Sequence, residues 1–146
     1  MSHLKKIKRT FLLSSISIFL ISLTQRAYCV DNNCGDLGSG FLCFALGWLG
    51  LGYGGALFTW FANPFLILSW AIPYKYHLLK IFFCFISSLI SLSFLFFDRI
   101  MKDESGHSGE ITGYALGYWL WLSSSVIFLC GNIYIFLSGK GFIKKA

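Results

Sequence analysis

Polar positions in this chain are bunched, and long apolar stretches separate them. No Asp, Glu, Lys or Arg falls within residues 10–25, 37–74, 81–97 or 111–139. A helix needs about 20 mostly apolar residues, rising about 1.5 Å each, to cross a hydrocarbon core of about 30 Å. The first, third and fourth stretches each match one crossing, the first being short. The second is too long for one upright helix and barely long enough for two. The pattern predicts an N-terminal helix and further helices over about 41–73, 81–97 and 114–138. The first half of 41–73 is Gly-rich and is expected to be re-entrant or strongly tilted, which absorbs its surplus length.

The charges between these stretches decide the topology. If 41–73 crosses once and the N-terminus is cytoplasmic, Lys5, Lys6, Lys8, Arg9, Lys75, Lys80, Lys140, Lys144 and Lys145 all lie inside. All six acids (Asp31, Asp36, Asp98, Asp103, Glu104, Glu110) then fall outside, with Arg26, Arg99 and Lys102. Lys and Arg beside the inner helix ends are what insertion reads. A double crossing of 41–73 would export the Lys75/Lys80 loop and the C-terminal lysines. The expected architecture is therefore an all-α transmembrane bundle of four helices, N-in and C-in.

Composition agrees. Hydrophobic residues make up 56% of the 146-residue chain, and 12% are charged. A soluble domain this small leaves about a third of its unfolded surface exposed and cannot hide so much apolar area. The +6 net charge reads as basic clusters facing an anionic leaflet, not as a nucleic-acid patch. The bilayer is the expected medium.

Residues 1–29 have the build of a signal peptide or signal anchor: a basic start, an apolar run from Phe11 to Leu23, then a polar stretch. The cleavage site is poor: a cut after Ala27 puts Gln25 where a small residue is wanted, a cut before Val30 with Ala27 and Cys29 fits somewhat better, and bulky Tyr28 before Cys29 argues against lipidation. Cleavage and retention both stay open, so the mature chain has four helices or three. Residues 30–146 read as a single polytopic domain.

Small residues fall in helical stripes: Gly47, Gly50 and Gly54; Ser87 and Ser91; Gly113, Gly117, Ser124 and Gly131. Such spacing places each set on one helix face. In lipid, close backbone approach at small residues drives association where apolar burial cannot. A pore or lipid-binding groove along the Gly run is the functional alternative. The run 47–55 lacks the Lys-Ser/Thr ending of a phosphate loop. Asn63-Pro64 marks an expected kink, since Pro64 removes a helix hydrogen bond that Asn63 can compensate.

Candidate chemistry is thin. Cys29 and Cys34 share the outside loop, where they form a plausible disulfide, while Cys43, Cys84 and Cys130 sit in apolar surroundings and read as small hydrophobes. A thiol oxidase would need C-x-x-C, which is absent. His107 lies among Asp103, Glu104 and Glu110, but the Gly and Ser between them fix no ligand geometry. With no carboxylate inside a predicted helix, proton-coupled export lacks its relay group. No catalytic residue, metal site or cofactor is expected, and the chain reads as non-enzymatic.

The segments Gly47-Trp48-Leu49-Gly50, Trp60-Phe61-Ala62-Asn63-Pro64 and Gly113-Tyr114-Ala115-Leu116-Gly117-Tyr118-Trp119-Leu120-Trp121 resemble recurring pieces of small polytopic bacterial inner-membrane proteins whose activity is uncharacterised. The resemblance covers about residues 41–135. It implies a bacterial inner-membrane location and supplies no activity. The expected function is contact through helices, as an accessory subunit or an immunity-type protein beside a membrane partner. The alternative is a homo-oligomeric channel or transport subunit built on the Gly-rich segment.

Overall fold

The computed structural model describes residues 2–35, 38–102 and 105–139. The chain is mostly helical. Five α-helices appear: α1 (Ser2–Leu23), α2 (Gly40–Leu46), α3 (Ala62–Ala71), α4 (His77–Ser93) and α5 (Leu116–Gly139). Two helical stretches, Tyr74–Phe96 and Leu116–Gly139, are long and apolar enough to cross a membrane.

The helices α1, α3, α4 and α5 form an up-and-down bundle, as their cross-links show. Phe11 lies against Gly131, the Ser15 hydroxyl donates to the Ser124 carbonyl at 2.8 Å, and Gly117 sits under the Arg26 carbonyl. Numbers rise along α1 as they fall along α5, so the two are antiparallel. The pairs Ser87–Ala62 and Phe65–Phe83 make α3 antiparallel to α4. Tyr118–Ser91 and His77–Phe136 do the same for α4 and α5.

The all-α expectation needs one correction. A three-stranded antiparallel sheet, β1 (Tyr28–Val30), β2 (Arg99–Met101) and β3 (Ser108–Tyr114), closes the end where α1 and α4 finish and α5 begins. Its order is β1-β3-β2, with Cys29 opposite Gly113 and Arg99 opposite Glu110. These segments alternate poorly and carry Gly and charge, so no period of two stands out in the sequence. They pair because three helix ends bring them together. Gly113, placed on a helix face by its spacing with Gly117, lies in β3 instead.

The stretch 41–73 is not one helix. After α2 come two 3-10 segments, Gly47–Tyr53 and Gly55–Phe61, and then α3. They meet at Gly54 and Gly55, whose φ of 73° and 63° only glycine adopts freely. Gly54 thus makes the turn between the two segments. Asn63 and Pro64, where a kink is expected, occupy the first turn of α3, where a missing N–H breaks no helix bond. As expected, α4 and α5 cover most of the third and fourth apolar stretches, but α4 begins at His77 and takes in Lys80.

Two clusters form the core. Phe19, Leu66, Cys84 and Phe128 pack mid-bundle. Val30, Ala56, Phe94, Ile100 and Tyr118 join the bundle to the sheet. Most buried serines close their hydroxyls onto carbonyls of their own helix, as Ser69 does on Leu66 and Ser124 on Trp121, while Ser15 and Ser87 donate across to the Ser124 and Ala62 carbonyls. This removes the cost of an unpaired polar group in apolar surroundings.

Candidate functional site

A recess follows from one mismatch of length. Ten residues make α3 about 15 Å long, whereas the 24 of α5 reach about 36 Å. Ser87 meets Ala62, the first residue of α3, so the sheet-side part of α4 has no α3 beside it. The α2 and 3-10 segments fill that gap incompletely. A cavity of about 680 Å³ remains, between Leu23 and Tyr28 on one side, Cys43 and Leu46 on another, and Ala56 and Tyr118 deeper in. Its volume lies in the range of small-molecule sites.

Several polar side chains on its wall bond within the protein. Trp60 Nε1 donates to the Phe44 carbonyl at 2.8 Å, and Thr59 Oγ1 to Ala56 at 2.6 Å. Asn63 donates through Nδ2 to Trp60 and accepts from Trp121 Nε1 at 2.8 Å. The Cys43 thiol lies 3.7 Å from the Tyr28 hydroxyl. Burial raises the Tyr28 phenol above its ordinary pKa, so it stays neutral. What the wall offers is carbon.

The sheet forms a roof tied at three points. Cys29 and Cys34 are joined by a disulfide. Between them, Val30 and Asn33 exchange backbone hydrogen bonds around Asp31 and Asn32, both with positive φ. Asp and Asn tolerate that conformation, which the mirror-image hairpin turn requires. The Asp31 carboxylate then pairs with the Lys102 ammonium and accepts from the Glu110 backbone N–H at 2.9 Å. These contacts, Lys102 foremost, hold its carboxyl below the usual carboxylate range. Gly109 leaves room for the pair, since a Cβ there would meet Lys102, Val30 and Asp31.

The small-residue stripes are spent inside the chain. Gly47 faces the Trp60 ring and Gly50 faces Leu57. Ser87 and Ser91 are buried against α3 and α5. Gly117, Ser124 and Gly131 form the seam with α1 and its C-terminal turn. A Cβ on Gly113 would meet nothing within 4 Å. What points outward is different: Leu78, Phe82, Phe85, Leu89, Leu92 and Phe96, exposed along one ridge of α4 and its extension.

Sequence reasoning missed Lys80. It reads as a loop charge, yet it is 1% exposed between the rings of Tyr74 and Phe128. The weak signal was its place immediately beside an uncharged stretch. For the carboxylates around His107, Asp103 and Glu104 lie outside the described residues, as do Lys140, Lys144 and Lys145. Among the described residues no group of three His, Cys, Asp or Glu side chains is placed to hold a metal ion.

Compared with known proteins, the chain matches no family model, no curated protein and no solved structure.

Proposed function

We propose that this chain is a multi-pass protein of a bacterial inner membrane that acts by helix contact and not by catalysis, as an accessory subunit or an immunity-type protein. In this reading α1, the α2–α3 arm, α4 and α5 make four crossings, and both termini are cytoplasmic. The charge asymmetry supports this orientation. So does the disulfide on the sheet side, since such bonds persist in oxidising compartments.

One observation carries the mode of action. The outward residues of α4, Leu78, Phe82, Phe85, Leu89, Leu92 and Phe96, follow steps of four and three. That is the 3.5-residue repeat by which one helix keeps a face against another. With the small-residue stripes occupied within the chain, this ridge offers a surface to a partner helix. The alternative, a channel built on the Gly-rich segment, is weakened because Gly47 and Gly50 already hold Trp60 and Leu57.

The test is purification of the tagged full chain in mild detergent, beside the triple variant Phe82→Ala, Phe85→Ala, Leu89→Ala. A distinct membrane protein retained by the wild type and lost from the variant at equal membrane level supports the reading. A homo-oligomer that leaks ions from vesicles overturns it in favour of the channel.

A further inference from the structure

We infer that the cavity beneath the sheet is a lipid-tail site, occupied by one acyl chain of a bilayer phospholipid whose headgroup stays outside. This goes beyond helix contact and concerns a different surface.

The shape of the cavity points to a lateral entrance. Leu42, Leu46, Leu49 and Tyr53 line it and are also exposed on the outer surface of the arm, at 39%, 53%, 57% and 57%. Leu42 and Leu46 lie in α2, and Leu49 and Tyr53 in the 3-10 segment that follows it. A route therefore runs from the outside of the bundle, past this edge, to Ala56, Thr59 and Tyr118, which are 3%, 6% and 1% exposed. Phe94 and Tyr118, near the sheet-side ends of the two membrane-length helices, also border the cavity. In a bilayer the cavity thus lies beside the sheet-side ends of these helices, where a tail reaches it from the edge of the hydrocarbon.

The chemistry of the wall selects the occupant. Water needs two to four polar partners to reside in a cavity, and the donors of Trp60, Thr59 and Trp121 already point at protein acceptors. A void of this size left empty forfeits dispersion contacts over its whole lining. A flexible hydrocarbon chain restores them, and in a membrane it is the most abundant molecule able to do so. Among the described residues Lys102 is the one charged side chain on the wall, and Asp31 neutralises it. The cavity therefore takes a tail and gives no anchor to an anionic head.

The experiment uses the purified full chain alone in vesicles of phosphatidylethanolamine and phosphatidylglycerol. A trace of either lipid carries a photoactivatable diazirine in mid-chain. Adducts are mapped by peptide mass spectrometry. Annular lipid reaches Phe82 and Phe85 but not Thr59 or Tyr118, so adducts at the latter two report occupancy. We expect them with both headgroups. Ala56→Phe, which fills the cavity, and Leu46→Trp, which narrows the entrance, should each lower them about tenfold as apolar contact is lost. Adducts at Phe85 should not change, which also shows that each variant has folded. Adducts confined to the outer surface overturn the inference, as do cavity adducts that neither variant reduces. Labelling with only one headgroup overturns the tail-only mode. No partner protein is present, so failure here leaves the α4 reading standing.

Discussion

The Lys80 ammonium lies 3.5 Å from the Trp70 carbonyl oxygen and caps the end of α3. The last carbonyls of a helix lack internal partners and carry its negative pole, so a cation there is favourable. The rings of Tyr74 at 4.3 Å and Phe128 at 5.2 Å surround the charge, and cation–π attraction strengthens when the cation is desolvated. Lys80→Met should therefore lower stability by about 1–2 kcal/mol. Lys80→Glu, which sets an unpaired buried anion against that pole, should prevent folding. Thermal scans in detergent, read by tryptophan fluorescence, check both. A Lys80→Glu protein as stable as wild type would refute the capping role.

Glycines of the same stripe should behave oppositely. A Cβ on Gly117 would sit 2.6 Å from the Arg26 carbonyl oxygen, a backbone atom with no room to move. Gly117→Ala should cost about 1–3 kcal/mol. Gly113→Ala meets open space and should stay within about 0.5 kcal/mol. Equal losses in a melting comparison would mean that α5 and its lead-in strand pack otherwise.

Thiol labelling separates the cysteines. Cys29 and Cys34 should resist maleimide until reduced. Among the free thiols, Cys84 is buried and Cys130 exposed, so in detergent Cys130 should react with an apolar maleimide well before Cys84. Labelling of Cys84 in the folded protein would contradict the mid-bundle core.

The Asp31–Lys102 tie has a pH signature. The folded-state pKa of Asp31 is lowered, so its contribution is present above the unfolded value of about 3.9 and is lost as pH falls through the folded one. Asp31→Asn should melt slightly below wild type at pH 7, and the gap should close on acidification below about pH 4. Both partners are partly exposed, so high salt should narrow the gap as well. A gap that persists in acid would place the effect elsewhere.

The packing of the N-terminal helix predicts that it is retained. Ser15 donates to the Ser124 carbonyl and accepts from Trp70 Nε1 at 3.0 Å, and Phe11 covers Gly131. Removing α1 would strip the flank of α5. Intact-mass measurement of a C-terminally tagged chain should find residues 1–29 still attached. A mature chain beginning near Val30 would show that α1 is a leader.

What the sequence by itself determined is where the apolar runs and the main helices lie. Four uncharged stretches, a 56% hydrophobic fraction and lysines gathered beside particular stretches are one-dimensional properties, because the length of an apolar run and the sign of its flanks are set along the chain. Cys29 and Cys34, five residues apart and now bonded, were legible for the same reason. Tertiary structure decided the rest. The strands have too little alternation to announce themselves and exist because α1, α4 and α5 end at one place. Gly113 and Gly117 share a spacing but not a helix, since where α5 starts depends on what β1 offers β3. Lys80 is a loop charge by sequence and a buried cap by structure, because only folding brings it to the end of α3. The cavity is the difference between the lengths of two helices that are distant in sequence, and no local pattern records a difference of that kind.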